Sequence, residues 1–118
     1  MPHLPEKTLA AIGRMTVAAA DLEHLLAGLS ADPAATFARP GAALGEAREA
    51  VRAASGHQVA AVEAAATQLA VAQSALRRLW LTEAPADSAA FDEITAHLRR
   101  CHDWLAQHLR SARNVVLQ

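Results

Sequence analysis

The stretch from Gln58 to Leu81, QVAAVEAAATQLAVAQSALRRLWL, contains neither glycine nor proline. Val62, Ala65, Leu69, Ala72, Leu76 and Leu79 recur in it at alternating steps of three and four. That spacing lays them along one stripe of an α-helix. Its remaining faces are mostly Ala, Val, Thr and Ser, with charge only at Glu63, Arg77 and Arg78. A helix so evenly apolar is expected to be surrounded by other helices rather than to lie on a surface. The rest of the chain must supply those neighbours.

Two further periodic segments do. Pro5 suits a first helical turn and Glu6 suits the positive helix end, so a helix is expected over 5–29, after a loose tail at 1–4. Its main stripe is Met15, Ala18, Ala19, Leu22, Leu25, Leu26 and Leu29. The opposite face carries Gly13, Val17, Ala20, His24 and Ala27. Gly13 inside a helix costs roughly 1 kcal/mol relative to alanine, and close approach of a second helix is the reason it implies. The face of Gly13, Val17, Ala20 and His24 is therefore the expected interface of a homodimer.

SADPAATFARPG at 30–41 breaks the pattern with Pro33, Pro40 and Gly41. Asp32 can cap one short helical turn there, with Phe37 plugging the end of the bundle. A helix over 42–54 points Leu44, Ala47, Val51 and Ala54 inward, with Glu49 free to pair with Arg48 or Arg52. Ser55-Gly56 is read as its C-cap, with one continuous kinked helix as the alternative. The main stretch gives a helix over 58–81, and TEAPADS at 82–88 is a linker whose Asp87 or Ser88 caps a last helix over 88–115. Phe91, Ile94, Leu98, Leu105, Leu109, Ala112 and Val116 form the stripe of that helix. The expectation is a single all-α domain over 1–118, an antiparallel four-helix bundle with short connections.

Composition narrows the function classes. At 118 residues and 53% hydrophobic but only 3% aromatic, the chain must fill its core with Ala, Leu and Val. Eleven basic and twelve acidic residues, evenly divided about Gly56, leave a net charge of −1. That balance argues against a dedicated nucleic-acid-binding module. One cysteine allows no internal disulfide, MPHLPEKTLA lacks the layout of a signal peptide, and no run reads as a membrane span. A cytoplasmic protein is expected.

Residues able to carry chemistry are few. His97, Cys101, Trp104 and His108 share a second stripe of the last helix, and His97 and Cys101 stand at a spacing that can grip one metal. His97, Cys101 and His108 are thus the candidate ligands of a metal or small-ligand sensor. Against that, a small buried thiol with histidines at its rim needs no ligand. Glu93 and His97 are four apart rather than three, so the paired Glu-x-x-His sets of di-iron bundles are absent. No glycine-rich phosphate loop occurs. No cofactor is expected. Arg77-Arg78 and Arg99-Arg100 each point to two helix faces and form no basic groove. Trp80 is expected to plug the core, with anchoring a partner as the alternative, and Gln73 to need a polar partner near the inward stripe, fixing register or lining a small pocket.

Two resemblances bear on this reading. Arg52 and His57 match the Arg-x4–6-His pattern of the HEPN ribonuclease domains, helical bundles of similar length, and by that resemblance they would be an RNA-cleaving pair. IGRMTVAAADLEHLL at 12–26, AALGEAREAV at 42–51 and QLAVAQSALRRLW at 68–80 together resemble small Ala-rich helical proteins of unknown function from actinobacteria. That resemblance implies a bacterial cytosolic setting and no mechanism. The secreted helical-hairpin proteins of the same bacteria are similar in size, but the Trp-x-Gly turn is missing after Trp80. The leading expectation is a non-enzymatic interaction or regulatory protein, a homodimer acting through helix faces. The alternatives are the nuclease and the sensor.

Overall fold

The computed structural model describes residues 3–54, 56–81 and 87–117, with side chains as far as residue 109. Five helices follow in order: α1 Glu6–Ala27, α2 Pro33–Ala38, α3 Ala42–Val51, α4 Gly56–Leu81 and α5 Ser88–Leu117. No strand occurs among the described residues.

The ends of these helices follow from local chemistry. The Pro5 carbonyl accepts the Leu9 N–H at 3.0 Å, so the proline opens α1 at no cost in donors. At its other end Gly28 N–H is shared between the carbonyls of His24 and Leu25. Leu29 and Ser30 N–H then reach back three residues, and the Ser30 hydroxyl donates to Ala27 O at 2.7 Å. These contacts satisfy carbonyls that an open helix end would leave bare. Asp32 accepts the Ala35 N–H at 3.3 Å with Pro33 in the first turn, so the expected capped turn is a helix of its own. Gly41 enters α3 at φ 81°, a left-handed conformation that side chains with a Cβ resist. Asp87 accepts the Ala89 N–H at 2.9 Å and starts α5. Residues 82–86 of the expected linker lie outside the described residues.

α1 is the hub, touching all four other helices, with α5 its main partner. Met15, Leu22 and Leu26 of α1 meet Val62 of α4 and Leu98 and Leu105 of α5 in one core, all essentially without solvent exposure. α4 runs antiparallel to α5. Ile94 lies in the groove beside Val71 and Arg78, the Cys101 thiol reaches the Ala64 carbonyl, and His108 stacks with His57. On the other side, Arg14 Nε and Nη2 donate to the two Asp92 carboxylate oxygens at 3.0 and 3.2 Å, bringing together the N-terminal halves of α1 and α5.

Several expectations are corrected. The expected stripe of α4 is inward, but the helix is not enclosed: only 28% of its most apolar window is buried. α3 is 10 residues long against 26 in α4, about 15 Å against about 39 Å, so it covers only part of that length. By length and composition α4 is also apolar enough to cross a membrane, contrary to the sequence expectation. α3 stops at Val51 and Gly56 opens α4 instead of capping α3, so the two helices are separate. Ala43, Ala47 and Val51 turn inward while Leu44 is half-buried and Ala54 exposed. Leu4 is buried in the core rather than loose. Phe37 does not plug the bundle: it is 40% exposed, its ring edge-on to His24, and Thr36 is buried in its place.

Candidate functional faces

α1 leaves a long stripe outside the core. Leu9, Gly13, Val17, Ala20 and His24 are all exposed, Val17 at 62%, and a Cβ on Gly13 would meet nothing within 4 Å. Within one chain, then, nothing packs against Gly13. Any close approach to Gly13 has to come from another molecule.

Between this stripe and α4 runs a groove. One part, about 270 Å³, is bordered by Thr16, Ala20 and Glu23 of α1 and by Leu69, Gln73 and Leu76 of α4. It continues past Glu23 into a smaller hollow of about 130 Å³ under the start of α3. Two stripes set its walls. Leu9, Thr16, Ala20 and Glu23 share one flank of α1, and Leu69, Gln73, Leu76 and Trp80 share one flank of α4, all at three-, four- or seven-residue steps. Trp80 is 65% exposed, a corrected expectation, and stands at the open end of the α4 wall rather than plugging the core. Gln73 is likewise exposed and lines the groove. A second groove of about 460 Å³ lies on the other flank of α4, beside Ile94.

The charges along these walls are unevenly engaged. Arg14 is held by Asp92, Arg48 by Glu63 and Arg52 by Glu49. Half-buried Glu23 and exposed Arg77 make no ion pair among the described residues. No sequence pattern singles out these two, because they stand fifty-four positions apart on different helices.

The candidate metal ligands are not gathered. His97 is turned to Arg100, which donates to Nδ1, and to Glu93 at 4.0 Å. Cys101 is half-buried with its thiol 3.9 Å from the Ala64 carbonyl, and burial pushes that thiol up, partly offset by Arg100. His108 instead stacks with His57 at 6.3 Å and meets the edge of Trp104 at 4.9 Å. Among the described residues no three His, Cys, Asp or Glu side chains come close enough to hold a metal ion. The candidate nuclease residues also have other partners. The Arg52 guanidinium binds Glu49 at 2.8 Å with both side chains mostly exposed, and the His57 ring faces His108 across to α5.

Comparison with protein-family models, with curated proteins and with solved structures finds no match to this chain.

Proposed function

We propose that this chain is a non-enzymatic interaction protein that works as a homodimer through the outer face of α1, in the bacterial cytoplasm. The observation that carries the reading is the continuous exposed stripe Leu9, Gly13, Val17, Ala20 and His24, with open space over Gly13. Apolar side chains aligned on one rigid helix are what a helix-face contact requires, and contiguous apolar surface marks interaction sites. The same reading takes α1, α3, α4 and α5 as one four-helix bundle with α4 its antiparallel member beside α5.

Native mass spectrometry on the untagged protein tests the reading. A bare dimer is the expected species. A monomer, or a mass excess matching zinc, a small molecule or RNA, would overturn it.

A further inference from the structure

Resting on the self-association just proposed, we infer that a second copy of this chain seats in the groove between α1 and α4, locked by reciprocal ion pairs between Glu23 of one copy and Arg77 of the other. The groove is walled by apolar and small residues, and α4 carries no charge from Ala64 to Leu76. At one end of this uncharged length stands Glu23, half-buried and unpaired among the described residues. It borders the same hollow as Leu69 and Gln73. One turn beyond Gln73 toward the other end stands Arg77, exposed and also unpaired among the described residues. The face is thus negative at one end and positive at the other.

Such a face is complementary to itself. In a two-fold dimer each contact occurs twice, residue i meeting j and j meeting i. An axis through the level of Gln73 turns the face end over end and brings Glu23 of one copy to Arg77 of the other. Gln73 then lies beside the axis, where the two amides can each donate to and accept from the other. The rest of the contact consists of Leu69, Leu76, Ala20 and the exposed Trp80, an aromatic of the kind that anchors protein interfaces. Val17 lies at the rim, next around α1 from Ala20. A lipid surface would satisfy the apolar residues but would leave Glu23 in an apolar contact with no cation, which is why a second copy fits better.

Charge reversal decides the matter. Glu23→Arg and Arg77→Glu should each weaken the dimer at least about tenfold in sedimentation equilibrium, because each sets like charges opposite one another twice. Mixed in equal amounts, the two weakened variants should form a heterodimer close to wild-type strength, since every reversed charge then meets its opposite. Circular dichroism of each variant should match the wild type, both side chains being outside the core. Charge variants that dimerise like the wild type, or fail to rescue one another, overturn the groove. If Val17→Glu alone then dissociates the dimer, self-association through α1 stands without it. A wild type that stays monomeric, free or on phosphatidylglycerol vesicles, overturns both.

Discussion

The Arg48 guanidinium grips both oxygens of the Glu63 carboxylate, Nε to Oε1 at 2.8 Å and Nη2 to Oε2 at 3.0 Å. This paired contact fastens short α3 to the side of α4, fifteen positions along the chain. Hydrogen bonding from Arg48 holds the Glu63 carboxyl below its ordinary range, and the same bond raises Arg48. A carboxyl whose folded value is depressed contributes stability above its unfolded value and loses it as pH falls through the folded one. The pair is exposed, so its contribution is small and salt-sensitive. Urea unfolding followed from pH 7 to pH 3 should show wild type losing more stability than Glu63→Gln. Identical pH profiles would mean that the pair contributes nothing in solution.

Gly41 is the one residue whose backbone, at φ 81°, lies in the left-handed region among the described residues. Space is no obstacle there, since an added Cβ would touch nothing within 4 Å. The penalty is conformational alone. Gly41→Ala should cost about 1–2 kcal/mol in denaturant unfolding and leave the helices intact. A neutral result would show that the entry to α3 relaxes to a different turn.

The core should be far less forgiving than the faces. Leu22 and Leu98 have no solvent exposure, whereas Trp80 is mostly in water. Leu22→Ala and Leu98→Ala should each cost about 2–5 kcal/mol, while Trp80→Ala should stay within about 0.5 kcal/mol in a monomeric background. Equal losses at Leu98 and Trp80 would place Trp80 in the core after all.

Burial raises the Cys101 thiol, with Arg100 working the other way. Less thiolate is present at a given pH than for free cysteine, and the thiolate is the reactive form. Cys101 in the folded protein should therefore react with a disulfide reagent at pH 8 more slowly than free cysteine, and the rate should rise on unfolding. Faster reaction in the folded protein would assign Cys101 a chemical role rather than a packing one.

How much of this was legible depended on the range of the signal. The inward stripes of α1, α4 and α5 were readable because a 3.6-residue period is written locally, and Met15, Leu69 and Leu98 fell where it put them. α2 shows in the sequence only as a capped turn, because six residues carry no usable period. Trp80 departs from its expected place for another reason. The α4 stripe says which face is apolar, but whether that face is covered depends on how far a ten-residue α3 reaches along a 26-residue α4. The exposed line of Gly13, Val17 and Ala20 was visible as a second stripe on one helix. The groove was not, because Glu23 and Arg77 belong to different helices and neither has an unusual local context.

Val17 gives the most direct test of the α1 face. Its side chain is 62% exposed and absent from the core, so a carboxylate there costs the isolated chain within about 0.5 kcal/mol. In a dimer the same carboxylate would lose its water against an apolar partner face, which is costly without a paired cation. Val17→Glu should therefore keep the helical circular dichroism of the wild type and yield a monomer-sized species by light scattering. The conservative Val17→Ala should remain dimeric, removing only two methyl groups from a rim position. A Val17→Glu protein with the mass of a dimer would show that Val17 does not face the partner, and the outer stripe of Gly13, Val17 and His24 would be set aside as the interface.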